Sequence, residues 1–168
     1  MRTLVLILTA ASGAFAQEAA ASRGPGAELP GFTLEETPKE VALRLGAPAH
    51  TGAFGPGYFS WFYQIGTEDL HDFSHTFCFR DSDRKLVSIT REFAPEINVD
   101  HLFPPAETQV RYWPDRRHSK FRARVRVLPG GRVLLAMGSE AGQTCGQVIL
   151  IRSGALRIFF PWIDLGGA

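Results

Sequence analysis

The chain has 168 residues, of which 45% are hydrophobic and 21% charged, with a net charge of +1. That balance excludes a disordered or fibrous chain. No apolar stretch approaches the roughly 20 residues that a bilayer-spanning helix takes, so a transmembrane helix is excluded too.

Residues 1–16 have the layout of a cleavable leader. Arg2 gives the positive start, Leu4 to Ala11 the apolar segment, and Ala14-Phe15-Ala16 the small-x-small cleavage pattern. The expectation is cleavage after Ala16 and a secreted or periplasmic protein. No cysteine stands near the cleavage point, so neither a lipid anchor nor a transmembrane anchor is expected. The alternative reading of this segment is an N-terminal core strand or helix. Residues 17–31, rich in Ala, Gly and Pro, read as a flexible linker.

A first module is expected over residues 32–94. Thr37, Pro38 and Glu40 form a capping box with proline at the first helical position, and Val41, Ala42 and Leu45 give one apolar face. Gly46 and Pro48 close the helix, which spans about Pro38 to Leu45. Three antiparallel strands follow. Trp61, Tyr63 and Ile65 alternate with polar or aromatic neighbours, as do Phe73, His75, Phe77 and Phe79, and then Val87, Ile89 and Phe93. Asp81-Ser82-Asp83 is the turn before the third strand, and Pro95 ends the unit.

Residues 95–168 read as a basic, strand-rich module packed on the first. Ala106 to Trp113 fits a short helix after Pro104-Pro105. Phe121 to Val127 alternates as a strand, and Pro129-Gly130-Gly131 turns into Val133 to Met137. Further strands are expected over Gln147 to Arg152 and Ala155 to Phe160. The fold class is therefore α+β, with short helices packed on antiparallel sheet, either as one body or as two fused helix-plus-meander modules.

Charge divides unevenly. From Gln17 to Val110 there are 7 Lys+Arg and 14 Asp+Glu; from Arg111 to Ala168 there are 10 and 3. The halves attract each other or show opposite faces to partners.

The run Thr37-Pro38-Lys39-Glu40-Val41 through Leu45-Gly46-Ala47-Pro48, followed by the aromatic strand Trp61-Phe62-Tyr63, resembles the opening of the SmpA/OmlA-type outer-membrane assembly lipoproteins and of the related β-lactamase-inhibitor-like modules. The likeness spans residues 31–93. It implies helices packed on a three-stranded antiparallel sheet and a binding rather than a catalytic role. The lipoprotein cysteine is missing, so anchoring does not follow from it, and the basic second half extends beyond the pattern.

Candidate chemistry is sparse. His71 and His75, with Asp69 and Asp72 nearby, would lie on one strand face but about 13 Å apart, too far to share a zinc ion, so no metal and no cofactor are expected. A Cys–His nucleophile would draw on Cys78 or Cys145 with His75, His101 or His118, but Cys78 and His75 should face opposite ways. Cys78 and Cys145 are either disulfide-bonded or two separate buried thiols.

The most suggestive feature is a basic stripe. Arg122, Arg124 and Arg126 share one strand face, with Arg116, Arg117 and Lys120 just before them. Three like charges on one face call for an anionic partner or for the chain's own carboxylates. An acidic protein surface or an anionic envelope component suits an exported protein better than nucleic acid. Phe54, Tyr58 and Phe59, in and beside a glycine-rich loop, serve either as anchors for a partner or as a lid on the core. The leading expectation is an exported soluble protein-binding module without catalytic activity, acting through its sheet surface and Arg stripe. The alternatives are a small-ligand or metal-binding enzyme with a cleft between the halves, and a purely structural envelope protein.

Overall fold

The computed structural model describes residues 31–68, 71–112, 121–139 and 144–166. The leader and nearly all of the linker, together with Asp69, Arg116, Arg117, His118 and Lys120, lie outside the described residues.

The fold is α+β. Helix α1 (Pro38–Leu45) precedes β1 (His50–Ala53), β2 (Tyr58–Glu68), β3 (His71–Arg80) and β4 (Leu86–Asn98). Two 3₁₀ turns, Asp100–Leu102 and Pro105–Glu107, lead into β5 (Thr108–Tyr112), β6 (Phe121–Leu128), β7 (Arg132–Ser139), β8 (Thr144–Arg152) and helix α2 (Ser153–Phe159). All eight strands join one antiparallel sheet in the order β1-β2-β3-β4-β8-β7-β6-β5. Each half of the chain contributes a four-stranded meander, and the halves meet where β4 pairs with β8 through Ser88↔Ile151, Thr90↔Ile149 and Glu92↔Gln147.

Local signals place α1 where expected. Thr37 Oγ1 accepts from the Glu40 backbone, while the Glu40 carboxylate accepts from the Thr37 backbone at 2.7 Å. Three expectations are corrected. Residues 106–112 do not form the expected helix: a single 3₁₀ turn gives way to β5, because Thr108, Val110 and Tyr112 are strand formers that alternate toward one face. The segment from Ala155 to Phe160 is not a strand but lies in α2 and its cap, since Ala155 and Leu156 turn inward together, as adjacent helical positions can and adjacent strand positions cannot. Finally, Pro95 does not end the third predicted strand. β4 runs on to Asn98, with its pairing to β8 broken between Glu92 and Ile97, and Pro95 occupies the break, where it owes the ladder no donor.

The core divides by sheet face rather than by half of the chain. On one face, Phe77, Phe79, Leu86, Ile89, Leu134, Val148 and Leu150 are covered by Phe32, Leu34 and Val41 and by Val99, Leu102 and Phe103 around the 3₁₀ turns. On the other, Cys78, Val87, Val125, Val133, Leu135, Ile149 and Ile151 pack with Ala155, Leu156 and Ile163. We call these the α1 face and the α2 face. Arg152 ties the N-terminal segment to the sheet: it donates to the Leu86 carbonyl at 3.2 Å and pairs with Glu35 at 2.6 Å.

Candidate functional site

The sheet explains where the predicted residues go. On β6, Arg124 and Arg126 point to the α1 face, beneath the 3₁₀ turns. Arg124 pairs with Asp100 and lies over the Phe103 ring at 5.4 Å. Arg126 donates to Glu107 at 2.7 Å and to the Leu102 carbonyl at 3.1 Å. Their side chains are only 13% and 16% exposed, against 47% and 57% for Asp100 and Glu107, so the arginines are covered while their acids face water. The hydrogen bond from Arg124 holds the Asp100 carboxyl below its ordinary range. Arg122 opposes Tyr112 on the same face.

The aromatic residues part company. Phe59 stacks on Phe79 at 5.2 Å on the α1 face, with the Arg84 guanidinium 4.2 Å over its ring, and so serves as a lid. Phe54 and Tyr58 meet Phe159 of α2 at 5.1 and 5.0 Å. Phe54 and Ile158 remain exposed. An open groove of about 670 Å³ runs beside them, lined among others by Tyr58, Arg80, Asp81 and Ile158. Its walls come from both halves of the chain, the β1–β2 loop and the β3–β4 turn from the first and α2 from the second.

His75 sits at the centre of the α1 face, fully buried, opposite Tyr63 on β2 and Arg91 on β4, with its ring 6.1 Å from that of Phe77. Burial, helped by the Arg91 charge, pushes its pKa down to about 4, so the imidazole is neutral at pH 7. Tyr63 donates from its hydroxyl to the Gly46 carbonyl at 3.1 Å and so fixes the end of α1. Among the described residues, no three of His, Cys, Asp or Glu gather into a metal-binding group.

Of the two alternatives for Cys78 and Cys145, the structure has the separate buried thiols. Neither cysteine is in a disulfide. Cys78 belongs to the α2-face core and Cys145 to the α1-face core, so the sheet itself stands between them. Burial pushes the Cys78 thiol up to about 12, which leaves it without thiolate at neutral pH. It also faces away from His75, so the two form no nucleophile–base pair.

One surface went unnoticed in the sequence. Helix α2 and the tail after it pack over β6–β8 and over Tyr58, Cys78 and Val87 at one end of β2–β4. On β2, β3 and β4 the same face carries the cross-strand row Phe62↔Thr76↔Thr90, all partly exposed. The next row brings Ser74, Glu92 and Gln147 together: Gln147 donates to Glu92 at 2.8 Å and Ser74 to the same carboxylate at 3.4 Å. His50 extends this surface, its ring 5.9 Å from that of Phe62. The signal lay in the polar partners of the alternation, Ser74, Thr76, Ser88, Thr90 and Glu92, which mark a face not given over to core.

No family model and no curated protein matches the chain. Solved structures share its fold, two of them as follows. A cysteine-rich secretory protein from Staphylococcus aureus superposes with a TM-score of 0.51 at 8% identity, over 77% of this chain and 48% of its own. An extracellular protein containing an SCP domain, from Bacillus anthracis, gives 0.52 at 10% identity, over 77% of this chain and 47% of its own. The chain thus spans about half the length of each.

Proposed function

We propose that the chain is an exported, non-catalytic protein-binding module whose principal contact surface is the uncovered half of the α2 face, bordered by Phe54 and Tyr58. The observation that carries this reading is the half-covered sheet. A face packed by α2 over β6–β8 and at Cys78 and Val87 continues along β2–β4 as Phe62, Thr76, Thr90 and Glu92, joined by Gln147 of β8, a mixture of aromatic and hydrogen-bonding groups suited to a protein contact. Three further points support it: the leader-like residues 1–16, the secretory and extracellular descriptions of the two structural neighbours, and the resemblance of residues 31–93 to binding modules. Among the described residues no helix is long and apolar enough to cross a membrane.

The test is photo-crosslinking in the native cell envelope, with a photoreactive residue at position 76 or 90 and, as a control, at exposed Leu43 on α1. A discrete adduct from 76 and 90 that position 43 does not give is expected. Equal labelling from all three positions, or none from 76 and 90 in a protein that melts normally, would overturn the reading. One observation favours a second reading, that of a structural envelope protein: Arg124 and Arg126 are paired with the chain's own acids. In that case the Arg122/Arg124/Arg126 triple-alanine variant would lose stability, and no position would give a specific adduct.

A further inference from the structure

Among the described residues, the uncovered part of the α2 face carries two carboxylates and no Lys or Arg. One row across β2, β3, β4 and β8 reads Gln64↔Ser74↔Glu92↔Gln147. Gln64 is exposed, and the Glu92 carboxylate accepts from Gln147 at 2.8 Å and from Ser74 at 3.4 Å. The second carboxylate stands at the break in the β4–β8 pairing. Ile97 and Cys145 pair just past it and pack with the α1-face core, so Glu96 and Thr144, their chain neighbours, stand on the α2 side. The exposed Glu96 accepts from the Thr144 hydroxyl at 2.8 Å and lies over Gly146, where an added Cβ would come 3.8 Å from its Cγ.

The chain's own cations are engaged elsewhere. Arg91 lies on the α1 face, its guanidinium 4.9 Å from the centre of the Phe93 ring, and Arg80, at the far end of β3, pairs with Asp83 at 2.5 Å. Among the described residues, neither Glu92 nor Glu96 meets a Lys or Arg. A carboxylate offers about four acceptor sites. Glu92 uses two and Glu96 one, all on neutral donors, so each keeps capacity for a charged donor. The neighbouring row Phe62↔Thr76↔Thr90 adds an aromatic ring, flanked by His50. An arginine fits this combination: its planar fork takes two bonds to one carboxylate and its flat face stacks on a phenyl ring, a geometry that a lysine ammonium does not reproduce. A second copy placed face to face would set these acids against their own counterparts, which opposes a homodimer through this surface.

We propose that the partner of the open α2 face is an arginine-bearing protein surface, whose guanidinium groups pair with Glu92 and Glu96 and stack on Phe62. The inference rests on the open face being a protein contact and adds the chemistry of what it meets.

The probe is a fluorescein-labelled, acetylated peptide of alternating Arg and Thr, with alternating Lys-Thr and Glu-Thr peptides as controls. Binding to the full chain is followed by fluorescence anisotropy. The Arg-Thr peptide should bind, the Lys-Thr peptide should bind about threefold or more weakly, and the Glu-Thr peptide should not bind. The Glu92→Gln/Glu96→Gln variant, checked for an unchanged melting midpoint, should hold the Arg-Thr peptide about tenfold or more weakly. Asp81→Asn/Asp164→Asn, which removes the same charge outside the patch, should hold it as the wild type does. Equal affinity for the Arg and Lys peptides, equal losses in the two double variants, or no binding of the Arg-Thr peptide would overturn the inference. So would photo-adducts from positions 76 and 90 whose yield Glu92→Gln/Glu96→Gln leaves unchanged, an outcome that keeps the open face as a protein contact. Absence of those adducts with Glu92 and Glu96 intact would instead overturn the underlying reading.

Discussion

The α1 and α2 faces of the sheet bury similar aliphatic side chains from the same strands, yet they are closed differently. The α1 face is covered across its middle by the N-terminal segment, by α1 and by the residues around the 3₁₀ turns, and its charged residues are drawn into internal pairs. The α2 face is closed over β6–β8 and over Tyr58, Cys78 and Val87 at one end of β2–β4, and farther along those strands it keeps Phe62, Thr76 and Thr90 in contact with water. The comparison separates the residues that hold the molecule together from those free to meet something else.

It can be broken most decisively at Phe77, which is fully buried on the α1 face and touches Phe32 and Tyr63 edge-on. Phe77→Ala should cost about 4 kcal/mol in urea unfolding. Its strand neighbour Thr76, on the open face, should tolerate alanine within about 0.5 kcal/mol. Comparable losses at both positions would mean that the α2 face is closed over the first half as well.

His75 gives the next largest effect. Its folded pKa is depressed to about 4 from an ordinary 6.5. As pH falls below 6.5 the unfolded chain takes up a proton that the folded chain refuses until about 4. Stability is therefore complete above 6.5 and is lost on acidification through that window, by about 3 kcal/mol in all. Urea midpoints at pH 7 and pH 4.5 should show this loss in the wild type, and a markedly smaller one in His75→Leu. Tyr63→Phe, which removes only the hydroxyl bond to the Gly46 carbonyl, should cost about 1 kcal/mol and loosen amide protection at the end of α1. The smallest effect belongs to Cys78. Its thiol should not react with an aromatic disulfide reagent at pH 8 until the chain is unfolded.

Much of this was legible along the chain because the signals were local. Thr37, Pro38 and Glu40 announce α1, and alternation marks β2, β3, β4 and β6. Elsewhere tertiary context decided. His50–Ala53 is too short and too small in its side chains to read as a strand until β2 lies beside it. Ser153–Phe159 carries β-compatible residues but turns helical to cover the β7–β8 surface. The union of the halves at β4 and β8 was invisible, since nothing in either strand names its partner. The Arg stripe showed its charge but not its destination, because Asp100 and Glu107 approach it only once the 3₁₀ turns fold over β6. The open sheet face was recorded as polar alternation and went unrecognised because sequence does not say where α2 will stop.

The sheet that keeps the two thiols apart also dictates an order of events. In an oxidising medium the unfolded chain is free to join Cys78 to Cys145, and a chain so joined cannot lay the strands down with one sulfur on each side. Correct assembly therefore requires that pairing of β4 with β8 outrun oxidation. Once it has done so, the finished wall keeps both sulfurs out of water and out of each other's reach.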